Sequence, residues 1–162
     1  MIEKVKTDKI ITSEQLFKLK KASSQTAYLT FTLANVQYGM NVHNINGIIE
    51  SPALIYSSHM SPPVVGLQHY NKNYIPIMDF AGYRSNPALS KILILSTSFF
   101  RNDKIFGLLI DQINEIHYAT QKDFIKNNYP FNNLLPSYFY INNRLNRINL
   151  LDVADLANQL DW

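Results

Sequence analysis

Two stretches of this chain repeat one another without a gap, and that duplication limits what it can fold into. Residues 38–48 read Tyr-Gly-Met-Asn-Val-His-Asn-Ile-Asn-Gly-Ile, and residues 106–116 read Phe-Gly-Leu-Leu-Ile-Asp-Gln-Ile-Asn-Glu-Ile. Each has an aromatic, a Gly, apolar positions, then Ile-Asn-x-Ile. A second matching pair follows in the same order: Ile75-Pro-Ile-Met-Asp79 and Ile148-Asn-Leu-Leu-Asp152. Chance likeness between two β-hairpins is the alternative, but two matches in one order favour duplication. The apolar positions would supply a core for each half, and the Gly lets backbone approach closely. Each closing Asp can accept backbone donors where a strand ends. The expected architecture is two small β-barrels in one chain, since barrels remove exposed edges.

The pattern along the chain agrees. Residues 28–33 alternate, placing Tyr28, Thr30 and Thr32 on one face and Leu29, Phe31 and Leu33 on the other. A turn at Ala34-Asn35 leads to a return strand over 36–40. Residues 42–49 mix apolar and polar positions around a possible helical turn. Strands are expected at 64–67 and 74–78 around an Asn71-Lys72-Asn73 turn, with Pro76 implying an edge or a bulge. After a polar linker at 83–87, strands are expected at 92–95 and 105–110, with a turn at 101–104. Residues 127–137 form an Asn- and Pro-rich loop. Strands at 138–141 and 147–151 follow, and Asp152 can cap a final helix with Val153, Leu156 and Leu160 on its apolar face. Residues 1–26 form a polar leader. Thr12-Ser-Glu-Gln15 has the form of a capping box and predicts a short helix over about 13–22. That helix is read either as a basic amphipathic docking segment or as a frayed leader packed loosely on the domain.

Composition narrows the function. Hydrophobic residues make up 46% of the 162, enough for a packed core, and charged residues only 17%. The net charge of +3 and pI near 9.0 weakly favour acidic partners, but the basic residues are spread thinly rather than gathered into a nucleic-acid-binding patch. Cysteine is absent, which removes disulfides and thiolate metal sites. With no signal-type apolar run at the start and no membrane-length span, a cytoplasmic location without membrane insertion is expected.

No catalytic constellation stands out. His43, His59, His69 and His117 form no metal motif, and no phosphate-binding or nucleophile motif occurs. No cofactor, no metal and no enzymatic activity are expected. Asp79, Asp111 and Asp152 are read as strand-end structural groups rather than catalytic acids, because their placement tracks the repeat. The ten tyrosines are many for this length. Most are expected in the core, with a few facing a partner.

Taken together, these residues resemble the CheW-like domain. Residues 28–33 followed by Tyr38-Gly39 are similar to the family's opening hairpin. Residues 66–80 are similar to its most recognisable segment, a Gly followed by an Arg-Gly turn and a Pro-x-x-Asp strand. Residues 106–111 and 148–152 resemble its later Gly-x-x-Val-Asp segment and its ending. The likeness spans about 27–160, and implies a single domain over 27–162 whose repeated halves are roughly 27–84 and 88–152. It implies a mainly β fold of two SH3-like five-stranded barrels around a shared core, with short helices including a C-terminal one. It also implies a non-catalytic adaptor that couples chemoreceptors to a CheA-type histidine kinase. The receptor's cytoplasmic tip would lie in a groove between the barrels, and an apolar barrel face would meet the kinase's regulatory domain.

Gly39, Gly66, Pro76, Asp79, Gly107, Asp111 and Asp152 match the family as scaffold residues. Three positions depart. The Arg-Gly turn is Asn71-Lys72, a common Glu is replaced by Gly47, and a Gly usual in the last hairpin is missing near Ile141. Asn has neither the charge nor the fork of Arg. Gly47, Asn71 and Lys72 are therefore the expected partner-binding positions, and standard receptor contact is in question. An auxiliary adaptor, such as one in the array that controls type IV pili and twitching, is favoured over reuse of the fold for another protein partner. A basic double barrel that binds single-stranded nucleic acid is the remaining rival.

Overall fold

Turn chemistry and alternation set the hairpins. A computed structural model describes residues 3–5, 11–21, 25–50, 52–56, 59–80, 90–97, 104–126, 137–141 and 145–160. In chain order its elements are β1 (Glu3–Val5), α1 (Ser13–Lys21), β2 (Thr26–Leu33), β3 (Val36–Asn41), β4 (Ile45–Ile49), β5 (Val64–Tyr70), β6 (Asn73–Met78), β7 (Lys91–Ser96), β8 (Ile105–Ile110), β9 (Gln112–Ala119), β10 (Ile125–Lys126), β11 (Ser137–Ile141), β12 (Asn146–Leu150) and α2 (Val153–Asn158). Short 3-10 turns precede β4 and β10. The linker at 83–87 and the greater part of the turn at 101–104 and of the loop at 127–137 fall outside the described residues.

The strands form two mixed sheets, ordered β1-β9-β2-β3-β12-β11-β10 and β4-β7-β8-β6-β5. With β1 and β10 set aside, the first sheet is β9-β2-β3-β12-β11, and each strand has its repeat counterpart at the same place in the second. The fold is the expected mainly β one, but each sheet draws strands from both halves of the sequence. Hairpin β2–β3 of the first half is completed by β9, β11 and β12 of the second. Hairpin β7–β8 of the second is completed by β4, β5 and β6 of the first. The core expected for each half is thus built from strands of both halves.

The seams of the exchange are the two parallel pairings, β3 with β12 and β8 with β6. In register, Leu150 faces Gly39 and Ile77 faces Gly107, which are the same repeat positions. A Cβ at Gly39 would lie 2.9 Å from Ile148 Cγ2, and one at Gly107 would lie 2.7 Å from Ile92 Cγ2 as well as on Ile77. The repeated Gly is thus set by close approach across each seam. The repeated Asn has an equally local reason. Asn114 Nδ2 donates to Thr32 Oγ1 at 2.9 Å, and Asn46 Oδ1 accepts from Ser96 Oγ at 3.2 Å, each tying one half to the other.

The core is arranged in three parts. A shared cluster lies between the sheets and includes Leu29, Phe31 and Met40 from one and Leu93, Phe106 and Leu108 from the other. Each sheet also encloses a small core of its own, Ile75, Ile77, Ile92, Ile94 and Leu109 in one, Phe139, Ile141, Ile148 and Leu150 in the other. Burial on both sides explains the uninterrupted apolar run of β7. The tyrosines contribute less than expected: of those described, only Tyr38 is buried, and Tyr56 and Tyr74 are exposed. Tyr83 and Tyr129 lie outside the described residues.

The scaffold residues have distinct local tasks. Asp111 Oδ2 accepts from Ala34 N at 2.8 Å, holding the β2–β3 turn, where Ala34 and Asn35 have φ of 50° and 63°. Asp152 caps α2 by accepting from Asp155 N at 3.0 Å. Asp79, its repeat counterpart, is buried and its backbone N–H donates to Pro63 O at 2.9 Å. Gly66 sits beside the bridge between Ile55 and Leu67. Pro76 lies on a strand flanked on both sides rather than at an edge, and next to the irregularity expected as its alternative, a register shift between Val64 and Gly66 opposite Met78 and Ile77. The parallel ladder to β8 starts only at Ile77, one residue beyond the ring, and this accommodates it.

The described helix of the leader is not loosely packed. Thr12 and Gln15 form a reciprocal capping box, with Gln15 N donating to Thr12 Oγ1 at 3.3 Å and Thr12 N to Gln15 Oε1 at 3.1 Å. Ile11 and Leu16, the flanking positions of a hydrophobic staple, are 3% and 1% exposed and belong to the shared core. Burial of side chains this size contributes about 1.5–3 kcal/mol each. Upstream, β1 adds a strand to β9.

Candidate partner surfaces

The β5–β6 hairpin turns tightly through Asn71 and Lys72, flanked by the pair Tyr70 and Asn73. Both turn residues are left-handed, with φ of 47° and 67°, the pattern of a type I′ turn. Asn suits the first position. Lys at the second stands where Gly is preferred and carries about 1 kcal/mol of backbone strain. Both side chains project into solvent.

Gly47 lies close to this turn but is buried. A Cβ there would be 3.3 Å from Tyr70 Oη and 3.5 Å from Ser13 Oγ. Tyr70 Oη also reaches Asn46 O at 3.5 Å, spanning from the hairpin base to β4. Ser13 Oγ accepts from Ile48 N at 2.8 Å. The structure therefore brings Gly47 beside the hairpin carrying Asn71 and Lys72, through Tyr70, and lays α1 over it. The sequence reading missed Tyr70 and Ser13. The capping box placed Ser13 at a helix start, but nothing local shows which strand that start meets.

The outward face of β5–β6 carries Leu67, His69, Tyr74 and Pro76, in cross-strand pairs Leu67–Pro76 and His69–Tyr74. The His69 and Tyr74 rings meet edge to face, 5.3 Å between centroids. Ile55 extends the strip by bridging to Leu67 and is 49% exposed, and Tyr74 is 60% exposed. None of these five residues is Asp, Glu, Lys or Arg. This is an exposed apolar strip of the kind that marks a docking surface.

The repeat gives this strip a counterpart on β11–β12. The equivalent positions hold Tyr138, Tyr140, Arg147 and Asn149, and Ile125 of β10 stands where Ile55 does. The Arg147 guanidinium lies 3.7 Å from the Tyr138 ring centroid, and its Nε donates to Asn149 Oδ1 at 2.9 Å. The Tyr138 and Tyr140 rings are 5.6 Å apart, edge to face. One fold position therefore appears twice, once apolar and once cationic and locked.

A cleft of about 310 Å³ is lined by Tyr28, Asn41, Asn44, Thr97, Phe124 and Asp152 among others. Burial raises the pKa of the Tyr28 phenol. Among the described lining residues the one carboxylate, that of Asp152, already caps α2. Among the described residues no group of three or more His, Asp or Glu could hold a metal ion, and no helix is long and apolar enough to cross a membrane.

The family model of the CheW-like domain matches residues 27–161, and the chain belongs to that family, whose members are chemosensory scaffolds. Among solved structures it is similar to the scaffolding protein TtCheW from Thermoanaerobacter tengcongensis, with a TM-score of 0.67 at 14% identity. That likeness covers 82% of this chain and 88% of the other. No curated protein matches.

Proposed function

We propose that this protein is a non-catalytic adaptor of a chemosensory array. In this reading the β5–β6 face docks the CheW-like regulatory domain of a CheA-type kinase, and the groove at Gly47, Asn71 and Lys72 receives a chemoreceptor tip. The observation that carries it is the strip of Ile55, Leu67, His69, Tyr74 and Pro76 on the outward face of β5–β6, free of Asp, Glu, Lys and Arg, with Ile55 and Tyr74 exposed, on a family scaffold. Apolar and aromatic groups at the centre of an interface supply the largest share of binding energy. The array controlling type IV pili and twitching is the pathway we favour.

The test is direct binding of the purified chain to a CheA-type regulatory domain by biolayer interferometry. Binding at tens of micromolar or tighter is expected, weakened at least tenfold by Tyr74→Ala or Ile55→Asp, about 1.4 kcal/mol or more. No binding at that ceiling, or indifference to both substitutions, would sink the kinase assignment. Loss of twitching in a deletion strain tests the pathway.

A further inference from the structure

The contact that sequence reading did not foresee is α1 over Gly47. The helix lies ahead of the residues that the family model matches, yet its first turn sits on β4. Among the described strands β4 is an edge, paired only with β7, so its outer amides need partners from elsewhere. Ser13 supplies one, accepting from Ile48 N at 2.8 Å. Leu16 is buried beneath the helix and Leu19 packs beside it, whereas Phe17 on the outer side is 58% exposed. At Gly47 the space under Tyr70 and Ser13 admits no large side chain without displacing one of them.

We infer that α1 is a plug in cis. It occupies the seat on β4 that an amphipathic helix from a partner takes, so that helix enters only when α1 leaves. The proposal rests on reading the Gly47 groove as the receptor-tip site. The seat specifies its guest: a small hydroxyl residue over Gly47 to take the Ile48 amide, then apolar residues at the Leu16 and Leu19 spacing. A helix of nine residues is too short to persist alone in water. Release therefore melts α1, and the helical state and the seated state are one switch.

The chain has no cysteine, which makes a reversible lock clean to build. Ser13 Oγ and a Cβ at Gly47 would be 3.5 Å apart, within reach of a disulfide. The full chain carrying Ser13→Cys and Gly47→Cys is titrated with a fluorescein-labelled peptide of residues 10–22, read by anisotropy. The reduced form is expected to bind the peptide, the oxidised form to lose that binding at least tenfold, and reductant to restore it. In an otherwise unaltered chain, Leu16→Asp should raise peptide affinity at least tenfold by unseating α1. Thermal unfolding by circular dichroism verifies that this variant is folded. Equal binding to both redox forms, or no gain from a folded Leu16→Asp chain, overturns the plug. A chemoreceptor hairpin-tip peptide that fails against both redox forms and the Leu16→Asp chain sinks the receptor reading instead, because the α1 peptide reports on the seat independently.

Discussion

The faces of β5–β6 and β11–β12 occupy the same place in the repeat but have diverged in opposite directions. Ile55 and Ile125 correspond, as do Leu67 and Tyr138, His69 and Tyr140, Tyr74 and Arg147, Pro76 and Asn149. Behind both faces the buried residues of β6 and β12 stay apolar: Ile75 and Ile77 on one hairpin, Ile148 and Leu150 on the other. The inward positions answer to packing within the exchanged sheets, which is the same problem twice. The outward ones answer to whatever meets them. The apolar strip is available for burial by another protein. The cationic face already satisfies much of itself, with Arg147 stacked and hydrogen-bonded within its own hairpin.

The comparison can be broken hardest at the seams that hold both faces in place. Gly107→Ala should destabilise by about 2–3 kcal/mol, since its methyl meets the stiff, branched Ile92 as well as Ile77. Gly39→Ala, at the matching seam, should cost about 1–2 kcal/mol, because its nearest contact, the branched Ile148, is looser at 2.9 Å than either isoleucine at Gly107, and the Leu150 side chain can yield. Urea unfolding of the two variants checks the order, and an equal or reversed order would show that the seams are not as unequal as their contacts suggest. The faces come next. Arg147→Ala should lower stability by about 1 kcal/mol through loss of its ring contact and hydrogen bond. Tyr74→Ala should change stability by less than about 0.5 kcal/mol while weakening the kinase domain, as described above. If both substitutions act on stability alone, the division into a docking face and a self-satisfied face fails. The smallest effect is at the turn. Lys72→Gly should stabilise by about 0.5 kcal/mol, the relief of a left-handed Lys exceeding the added flexibility of the unfolded chain.

Much of this architecture was legible from local pattern. Alternation at 28–33 placed Leu29, Phe31 and Leu33 inward, and the repeat singled out Gly39 and Gly107 together with Asn46 and Asn114. Thr30 broke the alternation: it is buried, with its hydroxyl accepting from Glu115 N at 3.1 Å and donating to Glu115 O at 3.0 Å beside a bulge. The exchange of strands was not legible, because Ile148-Asn-Leu-Leu-Asp152 carries the same pattern whichever hairpin it joins. Partner choice is a long-range property of the packed chain. At the candidate site, Asn71 and Lys72 were found by departure from a family pattern and do project outward. Gly47 was found in the same way but is covered, since the cover comes from Ser13 and Tyr70, distant in sequence. The staple at Ile11 and Leu16 was readable from spacing and would have moved the leader from periphery to core.

The exchanged strands also govern how the protein comes into being at the ribosome. Gln37 O accepts from Asn149 Nδ2 across 112 residues of chain, so the β2–β3 hairpin waits for β12, which is synthesised much later. Until β12 emerges, β3 has an open edge, and no half of the chain can close a sheet by itself. Such long-range pairing makes for slow folding and a nascent chain that exposes strand edges for most of its synthesis. A break near the middle of the gene would therefore yield two fragments that are each unfolded, yet complementary when made together.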